Sequence, residues 1–134
     1  MTSTVTTTTG ARILVVDDDA STRSGMARLL RSEGHTVDTA RDAAAALVLA
    51  TACPPDIVFT DLMMPGMDGV ALLHKLHEQD PELPVYIVTA AWELAAAVRA
   101  VGAGAADYVA KPIDFEALSV MIKRALERRK ARVS

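Results

Sequence analysis

Twice in this chain a run of residues suited to a fully buried strand stops on a carboxylate. Ile13-Leu14-Val15-Val16 runs into Asp17-Asp18-Asp19, and Ile57-Val58-Phe59-Thr60 runs into Asp61. Short continuous runs of β-branched and aliphatic residues are the pattern of strands covered on both faces. An acid placed where such a strand leaves the interior is costly unless something there uses its charge. A Pro65-Gly66 turn, Asp68-Gly69 and a helix-like segment follow Asp61. Asp61 therefore reads as a reactive site.

The rest of the chain repeats the same unit. Asp19 or Ser21 can cap a helix in which Met26, Leu29 and Leu30 mark a buried stripe, and Gly34 stops it. His35 to Ala40 reads as a short strand. Asp42 to Ala52 reads as an Ala-rich helix closed by Pro54-Pro55. Asp68 is the cap expected for a third helix carrying Val70, Leu72, Leu73 and Leu76. Val85 to Val88 forms a strand ending on Thr89. Glu93 to Val101 is a helix with Leu94, Val98 and Val101 at helical spacing. Tyr108 to Ala110 is a last strand running into Lys111-Pro112. Asp114 caps a final helix whose inner stripe is Phe115, Leu118, Ile122 and Ala125, with Val120 and Met121 turned away from it. Strands alternating with helices imply a parallel sheet with helices on both faces, joined by right-handed crossovers. The expected fold class is α/β, a doubly wound five-stranded parallel sheet of order 2-1-3-4-5. Three segments are expected: a disordered Thr-rich tail over 1–11, one domain over 12–129, and the end of the last helix or the start of a linker over 130–134.

Charge and cysteine usage narrow the function. The net charge is −3, which argues against a generic nucleic-acid binder with its basic face. No apolar run approaches the roughly 18 residues of a membrane span, and the N-terminus lacks the basic-then-apolar pattern of a signal peptide. Cys53 is the only cysteine, which excludes an internal disulfide and a cysteine metal cluster. A cytoplasmic protein is the simplest reading.

In a parallel sheet all the strand C-termini lie on one edge, so Asp17, Asp18, Asp61, Thr89 and Lys111 are expected to meet in one crevice, where open α/β sheets bind ligands. Three carboxylates there repel one another and raise at least one pKa. A divalent cation relieves this, and Mg²⁺ prefers such oxygen ligands. A lysine and a threonine hydroxyl across the crevice suit an incoming phosphoryl group. The chain has no G-x-x-x-x-G-K-[ST] loop to hold a nucleotide. A carboxylate can instead take the phosphoryl group covalently, as an aspartyl phosphate.

These residues resemble a receiver domain of two-component response regulators, a CheY-like, flavodoxin-like (βα)5 fold. The likeness runs from about Arg12 to the last helix. It rests on Ile13-Leu14-Val15-Val16-Asp17-Asp18, on Asp61 through Asp68-Gly69, on Thr89-Ala90, and on Ala103-Gly104-Ala105 through Asp107-Tyr108 to Lys111-Pro112. The resemblance implies that Asp61 is the phosphoacceptor. It implies that Mg²⁺ is held by Asp18, Asp61 and the Met63 carbonyl, with Asp17 acting through bound water. It makes Thr89 and Lys111 the contacts of the phosphoryl oxygens, Thr89 and Tyr108 the switch pair, and the bond before Pro112 a cis-peptide candidate. The implied donor is a histidine kinase or a phosphotransfer protein, and the implied output surface is the face of the fourth helix, fifth strand and fifth helix, used for partner binding or homodimerisation. On this reading the chain is not an enzyme toward external substrates and binds neither nucleic acid nor membrane. Met63 and Ala91, two residues after Asp61 and Thr89, are apolar where the family often carries polar residues, which bears on how long a phosphate survives.

Two other readings use the same residues. Asp17-Asp18-Asp19 superficially offers the D-x-D nucleophile of a Mg²⁺-dependent aspartyl-phosphate phosphatase, although no cap domain and no second acidic motif follow the fourth strand. A receiver-like scaffold that is never phosphorylated is the third reading, and the complete acidic, Thr and Lys set argues against it. Trp92 reads as a partner contact or a loop anchor, His74 and His77 as surface residues, and Cys53 as an inert buried thiol.

Overall fold

The computed structural model describes residues 10–64, 66 and 68–133. Its elements are β1 (Arg12–Val16), α1 (Ala20–Ser32), β2 (Thr36–Ala40), α2 (Ala43–Ala52), β3 (Ile57–Asp61), α3 (Gly69–Gln79), β4 (Val85–Thr89), α4 (Leu94–Gly102), β5 (Asp107–Ala110) and α5 (Phe115–Val133). A 3-10 turn, Ala91–Glu93, leads into α4. The strands form one sheet in the order β2-β1-β3-β4-β5, and every neighbouring pair is parallel. This is the doubly wound α/β order expected from the sequence, with its reversal between β1 and β3.

Aspartates start most of the helices. The carboxylates of Asp19, Asp42 and Asp68 accept from the backbone N–H groups of Thr22, Ala45 and Ala71, at 2.8–2.9 Å. Asp114 accepts from Glu116 and Ala117. Each such cap satisfies donors that the first helical turn leaves unpaired, at about 1 kcal/mol. At the other end of α1, Gly34 takes a φ of 94°, which favours glycine.

The period-2 alternation along the strands divides the core into two layers. Leu14, Val16, Val58, Val85 and Ile87 face α2, α3 and α4, where Leu72, Leu73 and Leu76 meet them. Ile13, Val15, Ile57, Phe59, Tyr86 and Val88 face α1 and α5, against Met26, Leu30, Leu118 and Ile122. Phe59 and Tyr86 are register partners, and their rings stack with centroids 5.3 Å apart.

Four sequence expectations change. Ala11, assigned to the tail, is buried, and its N–H donates to Nδ1 of His35 at 3.1 Å. The rest of the tail through residue 9 lies outside the described residues, as does Ser134. Leu29 of α1 is 41% exposed, and Ala27 takes a buried place instead. In α4 the packed face is Ala97 and Ala100, while Leu94 and Val98 are 45% and 55% exposed. Leu94 and Val98 are thus left outside, while Val101 packs against the core. Met121 of α5 packs against the core, and of the pair only Val120 is exposed.

Candidate functional site at the carboxyl edge of the sheet

Register assembles the site. Val16 pairs with Thr60, so Asp17 and Asp61 leave adjacent strands side by side. Asp61 pairs with Val88, and Thr89 with Ala110, so Thr89 and then Lys111 follow along the same edge. The Lys111 N–H donates to the Thr89 carbonyl at 2.8 Å, which ties the ends of β4 and β5 together. The Lys111–Pro112 peptide is cis.

Asp17, Asp18 and Asp61 each offer an oxygen within 4.8 Å of the others. Asp17 is buried and the most constrained. Its Oδ1 accepts from the Asp19 N–H at 2.9 Å, its Oδ2 lies 3.6 Å from the Lys111 ammonium, and its carbonyl accepts from Arg23 at 2.8 Å. Asp18 is exposed and Asp61 is half-buried. Burial is the main cause that pushes the Asp61 carboxyl up to about 6. Repulsion from Asp17 adds to it, Lys111 opposes it, and Asp18 raises it further. Repulsion, the cause expected from the sequence, is thus secondary to desolvation.

Thr89 is buried, and its hydroxyl donates to the Ala90 carbonyl at 3.2 Å and lies 3.5 Å from a Glu93 carboxylate oxygen. Tyr108 is half-buried on β5 beside Ile87 and packs against the core layer that contains Ala100 of α4. Met63 turns its side chain to solvent at 59% exposure, and Trp92 does so at 84%. Away from this edge, His77 is half-buried with Nε2 2.9 Å from the Leu83 carbonyl, so it is more than a surface residue. Cys53 is half-buried.

Sequence reasoning missed two residues here. Gly69 packs against the end of β3: a Cβ on it would lie 2.8 Å from the Asp61 carbonyl oxygen and 3.1 Å from Leu62 Cα, and its N–H donates to Leu62 at 2.7 Å. The Asp68-Gly69 pair at the start of a helix was the available signal. Glu93 stands in the sequence only as the start of a helix, yet its side chain folds back toward Thr89 and Ala90.

A family model for the response regulator receiver domain matches residues 13–123. The chain belongs to that family. The receiver domain is 41% identical over 114 residues to the DNA-binding transcriptional regulator NtrC of Escherichia coli K12, a match that covers 85% of this chain and 24% of that protein. It is 37% identical over 119 residues to the response regulator MprA of Mycobacterium ulcerans, covering 89% of this chain and 51% of that protein. The chain thus spans about a quarter of the NtrC relative's length and half that of MprA. Among solved structures, the receiver domain of NtrX from Brucella abortus superposes with a TM-score of 0.82 at 40% identity, covering 86% of this chain and 98% of that one. A receiver domain from Clostridium thermocellum gives 0.85 at 32% identity, covering 90% and 98%. The protein is a CheY-like receiver domain of the two-component response-regulator kind, and its acidic cluster has the oxygen-only donor set that suits a hard divalent cation. Among the described residues no helix is long and apolar enough to cross a membrane.

Proposed function

We propose that this receiver domain is a phosphorylation-controlled switch in which Asp61 is the phosphoacceptor. The observation that carries the reading is the half-buried carboxyl of Asp61, raised to about 6, beside Asp17, Asp18 and Lys111. The donor is the phosphohistidine of a histidine kinase or phosphotransfer protein. An Asp61 carboxylate oxygen attacks phosphorus, a P–O bond forms, and the P–N bond breaks with its electron pair returning to the imidazole. Asp18, Asp61 and the Met63 carbonyl would hold Mg²⁺, with Asp17 acting through water. When bound, Mg²⁺ supplies positive charge that offsets the crowding of carboxylates and phosphoryl oxygens. Lys111 supplies a second positive charge, and Thr89 a hydrogen bond, to the phosphoryl oxygens.

A cleft of about 310 Å³ adjoins the site, lined by Ser21, Thr22, Gly25 and Leu29 of α1 and by Lys111 and Phe115. It is continuous with Lys111, which supports it as the seat of the donor protein. The added charge of roughly −1.5 to −2 draws Thr89 and Lys111 inward. Tyr108 follows into the space beside α4, and the α4–β5–α5 face changes its affinity for a partner or a second copy. The exposed Leu94, Val98 and Val120 on that face support this output. The domain turns over no external metabolite, works in the cytoplasm, comprises residues 12–129 with 130–134 as the end of α5 or the start of a linker, and makes no nucleic-acid contact of its own. The phosphatase alternative is disfavoured because Asp17, its nucleophile, is buried and held by Lys111 and the Asp19 N–H.

The test is labelling by a small acyl-phosphate donor with Mg²⁺. The wild type is expected to take up one phosphoryl group and Asp61→Asn none. Equal labelling of the variant would remove Asp61 from the mechanism, and steady phosphomonoester turnover lost with Asp17 instead would favour the phosphatase.

A further inference from the structure

The hydroxyl that the proposed mechanism needs at Asp61 is already engaged elsewhere. Thr89 carries one hydroxyl proton, and two acceptors compete for it: the Ala90 carbonyl at 3.2 Å and, at the long end of hydrogen-bond range, Oε1 of Glu93 at 3.5 Å. The same Glu93 oxygen accepts from the Ala90 N–H at 3.3 Å. The Glu93 N–H in turn donates to the Ala90 carbonyl at 2.9 Å, which closes the 3-10 turn ahead of α4. One half-buried carboxylate thus joins the end of β4, the loop after it and the first turn of α4. Of the α-helices α1 to α4, only α4 lacks a side-chain cap of its own. Its lead-in turn carries this carboxylate contact beside its own backbone bond.

From this geometry we infer that Glu93 is a positioning residue, a latch that holds the Thr89 hydroxyl away from Asp61 until a phosphoryl group competes for it. The inference rests on the reading of Asp61 as the phosphoacceptor. A hydroxyl has one proton to donate, so contact with a phosphoryl oxygen and contact with Glu93 exclude each other. A phosphoryl group brings more negative charge than a carboxylate already shared with the Ala90 N–H, so it wins the proton. Its charge also repels Glu93. Once Thr89 leaves, the turn that sets the start of α4 loses one of its ties, and the exposed Leu94 and Val98 move with it. The latch therefore links the chemistry at Asp61 to the α4 surface. It also sets how far the unphosphorylated protein leans toward the inactive arrangement.

The test compares wild type with Glu93→Ala and Glu93→Gln by amide NMR, with Mg²⁺ present, before and during titration with beryllofluoride. In the wild type, beryllofluoride is expected to shift Thr89, Tyr108 and α4. Glu93→Ala is expected to lie part-way along those shifts with no beryllofluoride, and to reach half-saturation at a concentration about three- to five-fold lower. That is the scale of one long hydrogen bond. Glu93→Gln keeps an acceptor without the charge and is expected between the two; it carries the test alone if the alanine variant does not fold. The Asp61→Asn, Glu93→Ala double variant is expected to keep the partial shift, since the latch acts without phosphorylation. A wild type blind to beryllofluoride overturns the switch reading and the latch together. A wild type that responds, with Glu93 variants that keep the unliganded wild-type shifts and the wild-type half-saturation, overturns the latch alone.

Discussion

The charge at Asp61 is expected to weaken the fold, and Asp61→Asn should reveal by how much. Its carboxyl is raised from 3.8 to about 6, first by burial and then by Asp17. Two pKa units correspond to about 3 kcal/mol. Asp61 is only half-buried, and solvent screening reduces this to about 1–2 kcal/mol. Because the folded value lies above the unfolded one, the native state binds the proton more tightly. The contribution of this carboxyl is then fullest below about pH 4 and is lost as pH rises through 6. Asparagine has nearly the same shape and no charge at any pH. In metal-free buffer with a chelator, the variant is expected to be more stable than wild type by about 1–2 kcal/mol at pH 7.5, or roughly 4–8 °C in Tm. The advantage should shrink through pH 6 and vanish near pH 4. Urea unfolding of both proteins across this range measures it. A difference that does not change with pH, or a variant less stable at neutral pH, would refute the argument that burial and Asp17 together strain this carboxylate.

Mg²⁺ at about ten times its dissociation constant should stabilise the wild type by about 1.4 kcal/mol and Asp61→Asn by clearly less, measured by thermal unfolding at pH 7.5. Lys111→Ala removes the cation that lowers the Asp61 carboxyl, so its titration, followed by carboxyl NMR, should move above the wild-type value of about 6; an unchanged midpoint would show that Lys111 does not act on Asp61. Gly69→Ala puts a Cβ 2.8 Å from the Asp61 carbonyl oxygen, and overpacking of this kind costs about 1–3 kcal/mol, readable as a lower urea midpoint with a weakened beryllofluoride response. Replacing Met63 by Asn should shorten the acyl-phosphate lifetime by up to about tenfold, a barrier change of ~1.4 kcal/mol, followed by loss of radiolabel; a lifetime that stays put or lengthens would separate this position from hydrolysis.

How much was legible in the sequence depended on how each feature is encoded. The strands were readable because continuous apolar runs such as Ile13–Val16 leave little alternative in a chain of this length. The site followed from topology. Once the strands are parallel, Asp17, Asp61, Thr89 and Lys111 must share an edge, and register brings Asp17 beside Asp61. What was not legible was which residues of an Ala-rich helix face the sheet. Leu94, Val98 and Val101 match helical spacing, but so do Ala97 and Ala100, and periodicity alone cannot choose between two apolar faces. The choice is made by how closely α4 approaches the sheet, which is a tertiary property. Glu93 was hidden for a related reason: it lies four residues from Thr89, across a turn whose course the sequence does not specify.

The two misread features occupy the same place, and physics connects them. A helix packed through alanines buries less apolar surface than one packed through leucines, so less holds it in position. The turn that introduces it is closed by one backbone bond of 2.9 Å, and its side-chain ties to the Glu93 carboxylate, at 3.3 and 3.5 Å, are longer than the usual mode near 2.9 Å. By contrast α3 is fixed by Leu72, Leu73 and Leu76, all fully buried, and by an aspartate cap at 2.8 Å. A perturbation at the carboxyl edge of the sheet will therefore displace the α4 end of the domain before the α3 end. Asp61 lies on β3, which leads into α3, but the proton donor it would recruit lies on β4, which leads into α4. On the proposed mechanism the chemistry would thus be anchored on the rigid side of the sheet, and the response would be carried by the yielding side.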